Sequence, residues 1–237
     1  MIAAARLLLP YLERGSRIDA TILRATMEQA VGGGDADGQW DWKTAYDACE
    51  AATVLFLRKF GPVMRHRAGS PAAMAAMLEK IKALLPTHTR RSSESETLQQ
   101  FSTPTPMGLA AATAAAMTPG DLVLEPSAGT GLLAIFAELA GARLALNEIA
   151  ETRASLLSFL FPTVPITRFD AAQIDDHLNA ALAPSVILLN PPFSALAHVE
   201  GRMRDAALRH VASALARLAP RGRLVAIIGS SLSPDNP

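Results

Sequence analysis

The sequence predicts an α/β fold, a doubly wound parallel sheet preceded by a small helical domain. From residue 101 onward, short apolar runs of strand type alternate with helical stretches, which is the pattern of a parallel sheet covered by helices. Before that point, apolar residues recur at three- and four-residue spacings, which is typical of helices. Two loops rich in glycine or proline follow strands, and both should open at the carboxyl edge of the sheet, where ligands bind.

The first 85 residues predict the helical domain. Its helices are expected at 2–11, 18–30, 44–60 and 71–85, with a break at Gly32 to Gly34. Residues 86–97 are polar and predict a linker. The second domain then covers 98–237.

This second domain predicts five strands joined by helices. The strands are expected at 122–124, 144–147, 166–169, 186–190 and 224–228. The helices are expected at 107–117, 131–140, 152–160 and 202–218. A fold of this kind normally adds a helix and two strands after the fifth strand. We therefore expect that the natural polypeptide continues, or that a partner or the helical domain covers the strand edge.

Composition narrows the class of protein. Half of the 237 residues are apolar, which is enough for one good core and a smaller attached domain. The 22 basic and 22 acidic side chains balance, so no global charge indicates a polyanionic partner. Cys49 is a single cysteine and fits a reducing cytoplasm. No apolar run approaches the roughly 20 residues that span a bilayer, so we expect a soluble cytoplasmic protein.

The loop after the first strand reads Glu-Pro-Ser-Ala-Gly-Thr-Gly over residues 125–131. Gly129 and Gly131 let the backbone approach a ligand without an intervening Cβ, so a valine at 131 should take the ligand's place. The glycines alone also fit a dinucleotide such as NAD. Glu125, four residues before Gly129, favours another cofactor, because its carboxylate can face the ammonium of a methionine moiety. Ser127 belongs to the same predicted cofactor site.

Acidic residues follow the next two strands. Glu148 can accept hydrogen bonds from ribose hydroxyls, as acidic residues do at this place in other nucleotide folds. Phe169 offers a ring for an adenine face, and Asp170 can accept from the adenine amino group. With the glycine loop, these residues predict a site for S-adenosylmethionine, and no metal site is predicted.

The second loop reads Asn190-Pro191-Pro192-Phe193. An amine on an aromatic base is a poor nucleophile, because its lone pair is delocalised into the ring. The side-chain carbonyl of Asn190 and the backbone carbonyl of Pro191 can accept from both N–H groups and draw the nitrogen toward tetrahedral geometry. The prolines stiffen the turn, and Phe193 can stack on an extruded base. This clamp predicts methyl transfer to an amino nitrogen, without a general base before the transfer.

In this order and spacing, the motifs resemble those of the class I adenine-N6 DNA methyltransferases, which have a Rossmann-like sheet. Residues 100–104, Gln-Phe-Ser-Thr-Pro, are similar to the motif that these enzymes place over the methionine end of the cofactor. The resemblance covers 98–228 and implies cofactor binding by Phe101, Thr103, Pro104 and Asn190. Thr105 and Pro106 should then be the cap and the first residue of the next helix.

More narrowly, the chain resembles the methylase part of bacterial strawberry notch-like methylase/helicase proteins, which implies a helicase as partner or as a further domain. Asn190 stands where many relatives have Asp, and Asn is also used by enzymes that methylate glutamine amides or guanine N2 in RNA. An amino methyltransferase acting on RNA or protein glutamine is therefore an alternative. A cofactor-binding module without turnover is another. A dehydrogenase is disfavoured, because no hydride-transfer partner is apparent.

Basic residues cluster between positions 58 and 91, where eight stand against Glu79 alone. They are Arg58, Lys59, Arg65, Arg67, Lys80, Lys82, Arg90 and Arg91. We expect these side chains to hold a DNA backbone beside the clamp without reading its sequence. A solvated helix face is the equally weighted alternative.

Overall fold

The structure, a computed structural model, describes residues 1–87, 102–191 and 204–229, except for the side chains of 204–206. Four helices come first: α1 (Ile2–Glu13), α2 (Ala20–Val31), α3 (Trp42–Ala68) and α4 (Pro71–Lys82). The side chains of Asp19, Asp41 and Ser70 cap α2, α3 and α4, each accepting from a backbone N–H in the first turn. The predicted helices are therefore present, with local capping that explains where three of them begin.

Helix α3 is longer than its predicted end at residue 60, because tertiary contacts override a Gly-Pro stop signal. It runs through Gly61 and Pro62 to Ala68. A Cβ on Gly61 would lie 2.7 Å from Cδ1 of Leu139, so glycine permits the helix to pack this closely. The guanidinium of Arg65 donates to the carbonyl oxygen of Leu139 at 3.1 Å. Both contacts hold the second half of α3 against the rest of the molecule.

The remaining elements alternate as predicted. They are α5 (Thr105–Ala115), β1 (Leu122–Glu125), α6 (Ala134–Leu139), β2 (Arg143–Asn147), α7 (Glu151–Leu160), β3 (Ile166–Thr167), α8 (Ile174–His177), β4 (Val186–Leu189), α9 (Arg204–Ala216) and β5 (Arg223–Ala226). The strands form one parallel sheet in the order β3-β2-β1-β4-β5. This confirms the predicted doubly wound α/β fold. The strand order reverses between β1 and β4, and such a switch point is where open α/β sheets bind ligands.

Several boundaries differ from the prediction. The third strand ends at Thr167 instead of 169, because the backbone of Phe169 bonds to the side chain of Asn147 instead of a neighbouring strand. A 3₁₀ turn at Ala171–Gln173 and the short α8 follow, and neither was predicted. Asp170 caps that turn by accepting from the N–H of Ala172.

The start of α5 also differs. The helix begins at Thr105 itself, with Pro104 in the cap position. The buried hydroxyl of Thr105 makes no hydrogen bond to any described residue, so the prediction that Thr105 is the capping residue is wrong. The turn is held instead by the N–H of Gly108, which donates to the Pro104 carbonyl at 3.0 Å.

The helical part and the sheet share an apolar core. Leu57 of α3, Ile135 of α6 and Leu157 of α7 are fully buried in one cluster. Alternate residues of the central strands face opposite sides of the sheet. Val123 and Leu188 pack with α5, whereas Leu124 and Ile187 pack with α9. The layer formed by helices α1 to α4 therefore shares one apolar core with α6 and α7, which pack against the sheet.

None of the helices in the described ranges combines the length and the apolar composition needed to cross a membrane.

Candidate functional site

The two predicted motifs lie on either side of the switch point. Glu125 is the last residue of β1, and Asn190 directly follows β4, which pairs with β1. Residues 126–133 form the loop from β1 to α6. The fold therefore brings the predicted cofactor loop and the predicted clamp to one edge of the sheet.

Glu125 is a buried carboxylate with an available oxygen. The residue is 2% exposed, and the backbone N–H of Ala134 nearby favours its charged form. Its Oε2 has no hydrogen-bond partner within the described ranges. Burial, and then the neighbouring charge of Glu148, raise the pKa of Glu125 well above its ordinary value. A cationic donor brought to this oxygen would offset both effects.

The two glycines of the loop play different parts. Gly129 has a φ of 56°, and an added Cβ would have only the guanidinium of Arg153 nearby, at 3.8 Å. Gly131 has a φ of 89°, and an added Cβ would lie 2.5 Å from the ring of Phe161. The prediction that a side chain at 131 would take the ligand's place is wrong, because that side chain would enter the core. Gly129 is the glycine that leaves the loop surface open.

Glu148 fastens the loop to the end of β2. Its carboxylate accepts from the N–H of Gly129 at 2.8 Å and from the N–H of Ala150 at 2.9 Å, and the side chain is buried. A carboxylate has further lone pairs, so these bonds are compatible with a ligand hydroxyl. Binding of ribose by Glu148 stays a prediction, as does a contact from the half-buried Ser127.

Asn147 is a structural centre of the site that sequence reasoning missed. Its Nδ2 donates to the carbonyls of Pro126 and Phe169 at 2.8 and 2.9 Å. Its Oδ1 accepts from the N–H of Phe169 at 2.8 Å and from the hydroxyl of Thr167 at 2.9 Å. One side chain thus joins the ends of β1, β2 and β3. The signal in the sequence is an amide at the end of a strand just before the predicted acidic residue.

Asn190 is held by the segment before α5. Its Nδ2 donates to the hydroxyl of Thr103 at 2.9 Å, and Thr103 is buried. The Oδ1 of Asn190 is buried and has no partner in the part of the chain that the structure describes. Pro191 follows and is buried. The structure therefore brings Thr103 to the clamp, and cofactor binding by Thr103 stays a prediction, while Phe101, Pro192 and Phe193 lie outside the described residues.

Phe169 and Asp170 follow β3 at the same edge. The ring of Phe169 stacks on His177, with centroids 5.0 Å apart and an angle of 18° between the planes. Asp170 is exposed, and its Oδ1 accepts from the N–H of Ala172. One face of the predicted adenine platform is therefore covered by His177, and the contact of this pair with an adenine stays a prediction.

A buried charged group on α3 lies against the loop, and it was not predicted. The hydroxyl of Thr130 donates to Oε2 of Glu50 at 2.5 Å. Asp47 accepts from Nη2 of Arg153 at 2.7 Å and from Nζ of Lys43 at 3.0 Å. Burial raises the pKa of Glu50 to about 7, against the opposing charge of Arg153. The signal in the sequence is three charges at i, i+4 and i+7 of a helix, which share one face.

Some of the basic residues that we expected to touch DNA have partners within the protein. The guanidinium of Arg58 makes two hydrogen bonds to Glu138, at 2.6 and 2.8 Å, and Lys59 bonds to Glu13 at 2.6 Å. Arg67 is exposed. Arg90 and Arg91 lie outside the described residues, so a DNA-binding surface here stays a prediction.

The chain matches no protein-family model and no curated protein. Among solved structures, it is similar to a proposed RNA methyltransferase from Pyrococcus horikoshii, with 18% identity, 68% of this chain and 74% of the other covered, and a TM-score of 0.48. It is also similar to TrmN from Thermus thermophilus, with 17% identity, coverages of 70% and 58%, and a TM-score of 0.47. A modification subunit of a proposed type I restriction enzyme from Vibrio vulnificus gives 15% identity, coverages of 68% and 40%, and a TM-score of 0.45. Likeness at this level carries no argument about function, which has to come from the site.

Proposed function

We propose that this chain is an S-adenosylmethionine-dependent methyltransferase that acts on an exocyclic amino group, the N6 amino group of adenine in DNA. One observation carries the proposal. Within the described ranges, two buried oxygens without a hydrogen-bond partner, Oε2 of Glu125 and Oδ1 of Asn190, lie at the ends of adjacent strands across the switch point. A buried polar atom left without a partner costs roughly 1–3 kcal/mol, so both oxygens are expected to gain donors from ligands.

The residues around the loop fit this cofactor. Glu125 offers an oxygen to an ammonium, and the site at Gly129 leaves the loop surface open. Glu148 and Asp170, at the ends of the next two strands, add acceptors for ribose hydroxyls and an adenine amine. Bound S-adenosylmethionine supplies a methyl group on a sulfonium, which is already activated for transfer.

The clamp orients the amine. The Asn190 amide is fixed because its Nδ2 donates to Thr103, and this leaves Oδ1 to accept an amine N–H. The Pro191 carbonyl is the proposed acceptor for the second N–H. Two acceptors hold the nitrogen so that its lone pair is no longer delocalised into the base ring and points toward the methyl group. The nitrogen sheds its proton after the methyl group has transferred, so none of the described side chains is required as a base.

The assignment of adenine in DNA as the substrate is supported by the order of the motifs, which resembles that of the adenine-N6 DNA methyltransferases. An amide carbonyl at position 190 serves a glutamine amide or an RNA guanine equally well. A binding module within a larger helicase protein would not need the clamp. A helicase partner and a cytoplasmic location are proposed on the resemblance and on the composition.

The test is incubation with labelled S-adenosylmethionine and separate pools of DNA, RNA and protein. We expect label in DNA, recovered as N6-methyladenine after digestion to nucleosides. Label in RNA or protein alone would overturn the DNA assignment and keep the transferase. Cofactor binding without transfer to any pool would make the chain a binding module.

The clamp is tested by Asn190→Ala. Loss of a contact to the reacting nitrogen should lower turnover about a hundredfold, or roughly 3 kcal/mol in the transition state, with cofactor affinity nearly unchanged. Asn179→Ala is the matched control, because Asn179 is exposed and away from the strand ends that form the clamp. Equal turnover in the Asn190→Ala and wild-type proteins would refute the clamp assignment.

A further inference from the structure

We propose that Glu50, on the N-terminal helix α3, is a positioning residue that sets the conformation of the cofactor loop through Thr130. This inference rests on the proposed function, since it concerns how the same loop binds S-adenosylmethionine. Its physical basis is the hydrogen bond from the Thr130 hydroxyl to the Glu50 carboxylate, which joins two residues that are 80 positions apart in the chain.

Thr130 is the point at which the turn can be held by a side chain. It stands between Gly129 and Gly131, both of which have positive φ and no side chain to restrain them. Thr130 is 3% exposed, and its hydroxyl donates to Glu50 at 2.5 Å. On the other side, the N–H of Gly129 donates to Glu148. The turn is therefore fixed from the sheet by Glu148 and from the helical layer by Glu50.

Glu50 is itself held rigidly. One turn earlier on α3, Asp47 makes its hydrogen bonds with Arg153 of α7, and this contact is buried on both sides. Leu57, two turns later, is fully buried in the shared core. These contacts anchor α3 to α7 and to the shared core on both sides of Glu50 along the helix.

Glu50 also connects the loop to the clamp. It lines a cavity of about 280 Å³ together with Leu132 of the loop and Thr103, the residue that receives the Asn190 amide. The same carboxylate thus lines one cavity with residues of the predicted cofactor loop and of the segment that holds Asn190. Charged groups from each element around it are Lys43 and Asp47 on α3, Lys82 on α4 and Arg153 on α7.

The test measures dissociation constants for S-adenosylmethionine by calorimetry, well below the unfolding temperature. Thr130→Val removes the hydroxyl at nearly constant volume, and Glu50→Ala removes the acceptor. A buried hydrogen bond contributes enough for each variant to weaken binding about tenfold. Glu50→Gln keeps an acceptor oxygen for Thr130 and should restore affinity to within about threefold of wild type.

Thr53→Val is the matched control. Thr53 is a buried threonine on the same helix and lines the same cavity, but its hydroxyl donates to the Cys49 carbonyl within α3, so this variant separates a change in the cavity wall from loss of the bond to Thr130. This variant should lose stability without losing cofactor affinity. The loss of affinity in the Glu50→Ala, Thr130→Val double variant should be smaller than the sum of the two single losses, because both variants remove the same bond.

Wild-type affinity in folded Thr130→Val and Glu50→Ala proteins would overturn the positioning role and leave the proposed function intact. Equal weakening by Thr53→Val would overturn it as well, since general destabilisation would then explain the loss. If the wild-type protein binds no S-adenosylmethionine, both this inference and the proposed function are wrong.

Discussion

Replacement of Asn147 by aspartate tests the hydrogen-bond centre that joins three strand ends. The two side chains have the same size and shape, so packing is unchanged. The acceptor bonds of Oδ1 to the N–H of Phe169 and the hydroxyl of Thr167 can persist. The second oxygen of the new carboxylate, however, takes the place of an NH₂ that donates to the carbonyls of Pro126 and Phe169.

The cost follows from these contacts. Two buried carbonyls lose their donor, at roughly 1–3 kcal/mol each. They also face a carboxylate oxygen at donor distances of 2.8 and 2.9 Å, which adds repulsion at a position that is 1% exposed. We expect the free energy of unfolding to fall by at least about 3 kcal/mol at neutral pH. The loss should shrink at acidic pH, because a protonated carboxyl can again donate to one carbonyl.

Urea unfolding of the wild-type and Asn147→Asp proteins at neutral and acidic pH gives this difference. Asn179→Asp is the control, because Asn179 is exposed and its side-chain Oδ1 accepts from the N–H of Ala181, a bond that an aspartate oxygen can also make. It should change stability by no more than about 0.5 kcal/mol. A loss below about 1 kcal/mol for Asn147→Asp would refute the view that this side chain holds the strand ends together.

Two further predictions concern the loop and its acidic neighbour. Gly131→Ala should cost at least about 2 kcal/mol of stability, because its φ of 89° disfavours a side chain and its Cβ would lie 2.5 Å from Phe161. Gly15→Ala, with a φ of 66° and open space, gives the cost of the backbone conformation alone, and equal losses for the two variants would contradict the steric argument. For Glu50, a folded-state pKa of about 7 lies above its ordinary value, so the wild type holds a proton that the unfolded chain has lost. As the pH rises from about 4.5 to 7, the wild type should therefore lose stability relative to Glu50→Gln, by at most about tenfold in the unfolding constant per pH unit. A difference in stability between the two proteins that stays the same across this pH range would contradict the raised pKa.

The parts of the fold that follow from local pattern could be predicted from the sequence. Residues 122–124 and 186–189 are short apolar runs followed by turn residues, and both lie in central strands of the sheet. The Asp19 cap and the Pro71 start of α4 obey local rules in the same way. The meeting of Glu125 and Asn190 at one edge also followed, because parallel strands end together.

The rest depended on distant partners. Gly61 and Pro62 indicate a helix end, but Leu139 holds α3 together past them. A Cβ at Gly131 points to Phe161, a residue 30 positions later, which no local pattern reveals. Glu50 reads as an ordinary helical glutamate until Thr130 is placed beside it. The roles of these residues come from contacts with parts of the chain that lie much later in the sequence.

The order of synthesis gives the Asp47–Arg153 contact a further consequence. Arg153 lies 106 residues after Asp47, so roughly 5–20 s separate the two on a translating ribosome at about 5–20 residues per second. During that interval Asp47 can pair with Lys43, which lies one turn earlier on α3. The apolar face of α3 meanwhile waits for α6 and α7 to cover it. The buried Asp47–Arg153 contact can therefore form only after Arg153 has left the ribosome.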